Sequence, residues 1–223
     1  MFTKQDISFL HQTKQKFLKE LLEHIPKHLY DHFSSRIKNN ASIKQKLTRK
    51  YQENEYLHTN YILDSQNNIK DALQYNVTPY FAVDYLCDII GIRIVTQYVS
   101  NIYDIVNIIK QHYKIKEECD YIAQPKDSGY RSYHIVISIP VDIKKFPYAD
   151  ELMVEIQIRT LGMDFWASLE HSLVYDKQKN NNPKDDNLSL VHNELLNYAK
   201  DIFSIDLKIQ ALQHITEHHP GKD

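Results

Sequence analysis

The alternation of extended and helical stretches predicts an α/β (α+β) fold: a single mixed β-sheet flanked by helices. Three observations carry this. Stretches rich in β-branched residues at 86–99 and 130–140 read as strands. Stretches with apolar residues at helical spacing, at 4–33, 101–112 and 191–213, read as helices. Between them the segment Val154–Asp176, VEIQIRTLGMDFWASLEHSLVYD, changes its period. Val154, Ile156 and Ile158 alternate with Glu155, Gln157 and Arg159, and a helical stretch follows that holds Trp166, the only tryptophan.

The totals bound the answer. A chain of 223 residues can bury a substantial core, and 42% hydrophobic with 25% charged residues describes a globular protein rather than a disordered one. It is read as a single domain, 1–223. This comprises N-terminal helices (1–35), a core (36–176) with an insertion (51–84), a C-terminal helix (188–213) and a tail (214–223). A formal charge of −2 excludes a globally basic nucleic-acid binder and leaves room for a local basic patch. Cys87 and Cys119 offer neither a disulfide framework nor metal-ligand spacing, and both read as small buried hydrophobes in a reducing, cytoplasmic setting. No stretch approaches the ~18–20 apolar residues of a membrane span. The start, MFTKQDISFL, lacks the pattern of a signal peptide.

Within 4–33, Phe9, Phe17, Leu18, Leu21, Leu22, Ile25 and Leu29 recur at helical spacing, with a break or a new first turn at Pro26. Residues 36–50, RIKNNASIKQKLTRK, carry six cations and no acid. In a helix Lys46, Arg49 and Lys50 share one side, where like charges repel. The pattern fits either a solvated basic face or a face that receives an anion. Residues 51–84 read as an insertion or lid, with a short helix at Asn67–Tyr75 and a break at Pro79. Asp88 opens the strand 86–99 and reads equally as a cap or as a functional acid; Gly91 suggests a bulge or a close backbone approach. Asp88 and Arg93 have opposite parity, so either the strand is irregular at Gly91 or the two do different jobs. Asn101 or Ser100 is the expected cap of the helix 101–112. After a strand at 113–122, Pro125 and Gly129 mark a loop. Tyr130, Ser132 and His134 then share one face by period two, with Lys126 and Arg131 at the entrance. A hairpin-like connection at 141–152 leads to the central strand. Asn180–Asn187 is a loop. The stripe of Leu195, Leu196, Ile202, Ile205, Leu207, Ile209 and Leu212 packs either on its own domain or on another copy. The tail 214–223, with its three histidines, reads as disordered.

Three strands therefore offer polar groups: Asp88, then Tyr130 with His134, then Glu155 with Gln157. Two separated carboxylates, Asp88 and Glu155, suit Mg²⁺, which takes one or two carboxylates and fills its octahedron with substrate phosphates and water. The cluster from Arg36 to Lys50 suits a triphosphate, and Tyr130 suits stacking on a base. Together they describe a Mg²⁺-dependent phosphoryl-transfer enzyme with two nucleotide subsites, the face of Glu155, Gln157 and Arg159 forming its floor. A wet edge strand is the alternative for that face. No GxGxxG, P-loop or zinc motif is present.

At these residues the chain resembles a known family. RIKNNASIKQKLTRK, DIIGIRIV, DYIAQPKDSGYRSYHIVI and VEIQIRTLGMDFWASLEHSLVY resemble the synthetase motifs of the RelA/SpoT family, and among its members the single-domain small alarmone synthetases. The resemblance implies a nucleotidyltransferase-like synthetase domain that moves a pyrophosphoryl group from ATP to the 3′-hydroxyl of GDP or GTP with Mg²⁺, making (p)ppGpp and AMP in the stringent response. It implies ATP-binding roles for Arg36, Lys38, Ser42, Lys46, Arg49 and Lys50. Asp88 would be a metal ligand, and Glu155 a metal ligand that also activates the acceptor hydroxyl. Tyr130 would stack on the acceptor base, with Lys126, Arg131, His134, Gln157 and Asp164 on the acceptor side. It further implies a homotetramer built through terminal helices.

Two departures matter. The segment between Lys50 and Asp88 is longer than in ordinary small synthetases, and Gly162 stands where Ala is common. The alternatives are two. One is a toxic small synthetase that pyrophosphorylates the tRNA 3′ end or makes adenosine alarmones, with RNA and an antitoxin protein as partners. The other is a catalytically silent nucleotide- or RNA-binding regulator, against which the pair Asp88 and Glu155 argues.

Overall fold

A computed structural model of the chain describes residues 1–53, 78–175 and 187–218. Helix α1, Lys4–His24, opens on a reciprocal cap. Thr3 N donates to Asp6 Oδ2 at 2.8 Å and Asp6 N donates to Thr3 Oγ1 at 3.2 Å, so two of the helix's unpaired donors are satisfied at once. Pro26 stops the helix as expected, and a single 3₁₀ turn, Lys27–Leu29, follows. The helical reading of 4–33 fails at its end, because His32–Ile37 is a strand, β1. Its HFSSRI has no strong periodicity of its own; the backbone of the next strand decides it. Asp31 N donates to Val95 O and Lys38 N to Ile89 O, an antiparallel pairing.

Helix α2, Asn40–Glu53, carries most of the basic cluster and starts where Asn39 Oδ1 accepts from Ser42 N at 2.8 Å. Pro79 does not break structure but begins it: α3, Pro79–Tyr85, has Pro at its first position and Thr78 as its cap. The short helix expected at Asn67–Tyr75 and most of the 51–84 insertion lie outside the described residues. Strand β2 is Ile90–Thr96, shorter than the expected 86–99, so Asp88 sits in the turn before it. Helix α4, Val99–His112, has Tyr98 as N-cap with no side-chain bond. Asn101 instead donates to Leu29 O, and the amide of Ser100 donates to Gln210, so neither is the cap.

Strands β3 (Ile115–Asp120), β4 (Tyr133–Pro140) and β5 (Glu151–Thr160) complete a five-stranded sheet of order β1-β2-β5-β4-β3. Cys119 is exposed on the edge strand β3, contrary to its reading as a buried hydrophobe, and Cys87 is half-buried. The β4–β5 connection closes as a hairpin through Val141 N and Asp150 O. The carboxyl-terminal ends of β2 and β5 meet where Thr96 Oγ1 donates to Arg159 O, which makes this pair parallel and the sheet mixed.

Helix α5, Leu161–Glu170, is capped by Thr160 and runs into a π-helical turn, His171–Tyr175. Helix α6, Asn187–His218, is longer than expected: Asn187 belongs to it rather than to a loop, and it takes in the tail as far as His218. Among the described residues no helix is long and apolar enough to cross a membrane.

The chain divides into two compact units, with boundaries inside α1, β1, β2, β4 and β5. The first holds Met1–Glu20, Ser35–Ile92 and Val136–Glu155; its core includes Leu10, Ile43, Leu47 and Phe146, on which Phe9 stacks at 5.3 Å. The second holds Leu21–Ser34, Arg93–Ile135 and Ile156–Asp223. There Trp166, Val174, Leu195 and Ala199 form a buried cluster with Tyr130 packed against it, and Trp166 Nε1 donates to Leu195 O at 2.7 Å. Helix α6 lies close to two glycines. A Cβ on Gly162 would stand 2.7 Å from Ile202 Cγ2. One on Gly129, whose φ is +90°, would stand 2.6 Å from the Cβ of Ala199. The Gly162 departure thus has a steric cause.

Candidate active site

In the first unit the basic cluster converges on one acid. Asp88 is almost fully buried, and its Oδ2 accepts from Lys38 Nζ at 2.6 Å and Lys46 Nζ at 2.7 Å. The residues come from three places: Lys38 just after β1, Lys46 on the inner side of α2, Asp88 in the turn before β2. Burial by itself pushes the Asp88 carboxyl up. The hydrogen bonds and charges of the two lysines outweigh it and hold the group below the usual carboxylate range. Lys50 Nζ donates to Tyr85 O at 3.0 Å. Arg36 lays its side chain over Gly91, where an added Cβ would meet Arg36 Nε at 3.5 Å, so Gly91 is a place of close approach. Arg36, Ser42 and Arg49 are exposed.

The other oxygen of Asp88, Oδ1, is buried and has no hydrogen-bond partner. A buried carboxylate oxygen left unbonded costs about 1–3 kcal/mol or more, since the group is charged. Such an oxygen suits a hard divalent cation. Glu155 is half-buried on β5, the strand beside β2, and would supply the second carboxylate. The residues present therefore fit Mg²⁺, held by Asp88 and Glu155 with phosphate oxygens and water completing the shell.

In the second unit most of the residues expected on the acceptor side gather around a guanidinium. Arg159, on β5, is 5% exposed. It donates to the Tyr130 hydroxyl, to Gln157 Oε1 at 2.7 Å and to Asp164 Oδ1 at 3.2 Å. Asp164 Oδ1 is shared with Arg93 Nη1 at 3.1 Å. Arg93 and Asp88 thus do different jobs, the second of the two options their parity left open. The Tyr130 hydroxyl also lies 2.8 Å from His134 Nε2. Lys126 Nζ stands 5.2 Å from the centroid of the Tyr130 ring and 4.8 Å from that of Tyr121, a position a cation favours over a π face.

Arg131 stands apart from this group. It donates to Ile122 O, and its guanidinium lies 3.9 Å over the Phe203 ring on α6. Neighbours on an extended chain point to opposite sides, so Arg131 turns away where Tyr130 turns in.

Two contributors had no role in the sequence reading, Arg93 and Tyr121, whose ring meets His134 edge-on at 5.1 Å, while Arg159 was read only as part of the floor. Arg159 had a visible signal, its parity with Glu155 and Gln157. Tyr121 had none, because it approaches through a loop.

The fold and these clusters define a class: a mixed-sheet α/β domain with a lysine-bound acid in one unit and an aromatic, arginine-centred cluster in the other. A family model described as a region found in RelA / SpoT proteins matches residues 35–180, more than half of the chain. The protein belongs to the RelA/SpoT family. GTP pyrophosphokinase YwaC of Bacillus subtilis (strain 168) is 38% identical over 156 residues, 69% of this chain and 62% of that protein. GTP pyrophosphokinase YjbM of the same strain is 40% identical over 114 residues, 50% of this chain and 53% of that protein. The chain thus spans less than two thirds of either relative's length. Among solved structures, the small alarmone synthetase 2 of B. subtilis aligns with a TM-score of 0.65 at 32% identity, covering 92% of each chain. The small alarmone synthetase 1 of B. subtilis bound to its product pppGpp aligns with a TM-score of 0.63 at 27% identity, covering 92% of this chain and 90% of that one. The reading of the motifs as RelA/SpoT-type, and of the fold as one mixed sheet flanked by helices, is borne out.

Proposed function

We propose that the protein transfers a pyrophosphoryl group from ATP to the 3′-hydroxyl of GDP or GTP. The observation that carries this is Asp88: a buried carboxylate with two ammonium groups on one oxygen and an unbonded second oxygen. A lysine pair beside an orphaned carboxylate suits a metal–polyphosphate ligand. The relatives named GTP pyrophosphokinase and the neighbour bound to pppGpp support guanosine nucleotides as acceptors.

In this reading Arg36, Lys38, Ser42, Lys46, Arg49 and Lys50 bind ATP, and the cations offset charge on the transferring group. Asp88 and Glu155 would hold Mg²⁺, which when bound would supply further charge neutralisation on the phosphates. Tyr130 stacks on the acceptor base, with Lys126, His134, Gln157 and Asp164 on the acceptor side. Glu155 takes the proton of the 3′-hydroxyl. The 3′-oxygen then bonds to the β-phosphorus of ATP, the bond from that phosphorus to the α–β bridging oxygen breaks, and AMP leaves. Positioning and charge neutralisation carry most of such a transfer. Arg131, also expected on the acceptor side, lies against Phe203.

Labelled ATP incubated in Mg²⁺ with GDP, GTP, ADP and deacylated tRNA in parallel tests the reading. Label should move to the guanosine nucleotides with equimolar AMP. Label on tRNA or ADP alone would establish the toxin alternative, and binding without transfer the silent regulator. Self-association through α6 belongs to the same proposal: Tyr198, Ile205, Ile209 and Leu212, at heptad spacing, are 41–62% exposed. Light scattering should give the mass of a homotetramer.

A further inference from the structure

Arg159 is a buried cation for which the motif resemblance supplies no task. A guanidinium has five N–H donors and no acceptor, so burial obliges it to find oxygens. It finds them in Ser132, Tyr130, Gln157 and Asp164. Its charge is matched at Asp164, and its planar face lies 5.0 Å from the centroid of the Tyr130 ring.

Since Arg159 can only donate, each partner's orientation follows. The Tyr130 oxygen accepts from Arg159 and lies 2.8 Å from His134 Nε2, so the hydroxyl is held between guanidinium and imidazole. Gln157 must turn its Oε1 to Arg159, which leaves the Nε2 hydrogens as what its amide has for any other partner. One buried cation thereby fixes the Tyr130 hydroxyl and an amide orientation.

We propose that Arg159 is a positioning residue that sets acceptor-base specificity. It holds Tyr130 as the stacking platform beside His134, and it orients the Gln157 amide with its N–H donors turned away from the guanidinium. A base edge made of acceptors, such as purine N7 with a 6-oxo oxygen, is complementary to such donors. An edge carrying a 6-amino donor meets them donor to donor. This rests on the acceptor-side reading of Tyr130, His134 and Gln157 given above.

The test is steady-state kinetics at saturating ATP with GDP or ADP as acceptor, for wild type, Arg159→Lys, Tyr130→Phe and the double variant. Lysine keeps the charge but offers one point donor in place of a planar fork. Arg159→Lys should raise KM for GDP about tenfold and cut the GDP-over-ADP preference in kcat/KM about tenfold, the scale of one lost charge-assisted hydrogen bond. KM for ATP should stay near wild type. Because Tyr130→Phe removes the hydroxyl that Arg159 holds, the double variant should be less impaired than the product of the single effects. Calorimetric GDP binding reads the same change in a variant too slow to assay. A GDP KM and a preference within twofold of wild type in Arg159→Lys overturn the proposal, as does full multiplication of the two single effects. Wild type that transfers to neither nucleotide sinks the functional reading itself, a different result from either.

Discussion

Asp88→Asn keeps the shape of a side chain while removing its charge. Asp88, Lys38 and Lys46 have side chains that are 6%, 11% and 24% exposed. Removing one partner of a fully buried pair costs about 3–5 kcal/mol. Lys46 can reach water by a small swing, and the new amide oxygen still accepts from one lysine, so the expected loss is about 2–3 kcal/mol at neutral pH. The pH dependence follows from the depressed folded-state value. An acid whose folded pKa lies below its unfolded one contributes stability above the unfolded value, and loses it as pH falls through the folded value. Urea unfolding of wild type and variant between pH 7 and pH 2 measures the gap. It should be full at pH 6–7, where the unfolded carboxyl is ionised, and narrow progressively below its reference pKa of about 4. Equal stability at pH 7, or a gap that does not change with pH, would refute the account of Asp88 as an acid held by two lysines. Transfer activity in the same variant should fall about 10³-fold, the scale of losing one preorganised electrostatic contact or more.

Other consequences are equally direct. Glu155→Gln removes the proposed proton acceptor and should lower kcat about 10²–10⁴-fold, while ATP binding measured by calorimetry changes a few-fold at most. Gly162→Ala would place a Cβ 2.7 Å from Ile202 Cγ2 and 3.0 Å from Asp206 Oδ1. The resulting overpacking should cost about 1–3 kcal/mol and lower the melting temperature by roughly 2–10 °C. Asp206, buried on α6 with Thr160 Oγ1 donating to it at 2.6 Å, has its pKa raised by burial, an effect the hydrogen bond only partly offsets. Its folded value lies above the unfolded one, so it costs stability as pH rises from the unfolded value through the folded one. Asp206→Asn should therefore melt higher than wild type at pH 7 by a degree or more, with the gain shrinking near pH 3.

Much of the fold was legible because it rests on local periodicity. The alternation of Val154, Ile156 and Ile158 with Glu155, Gln157 and Arg159 is the alternation of a strand that buries one face, and all three aliphatic residues are fully buried. What failed locally failed where a partner element decides. His32–Ile37 looked like the end of a helix and is a strand, because β2 offers it a backbone ladder. Pro79 looked like a breaker and is a helix start, since the same missing N–H suits both roles. Ser100 and Asn101 are cap residues by type, but their polar groups are taken by Gln210 and Leu29.

The candidate site divides in the same way. The residue types and spacings of the four motifs determined the family, the acidic pair and the basic segment, because chemistry at fixed intervals along a chain survives in its letters. The tertiary structure alone decided which of those groups meet. It brings Lys38 and Lys46, but not Arg36, onto one oxygen of Asp88 and leaves the other oxygen unbonded. It turns Arg131 to Phe203, and it makes Arg159 the centre of the Tyr130 cluster. The reason is physical. A hydrogen bond or ion pair acts over about 3 Å. The separation of its partners along the chain, 50 residues between Lys38 and Asp88, carries no record of that distance until the sheet and helices have closed it.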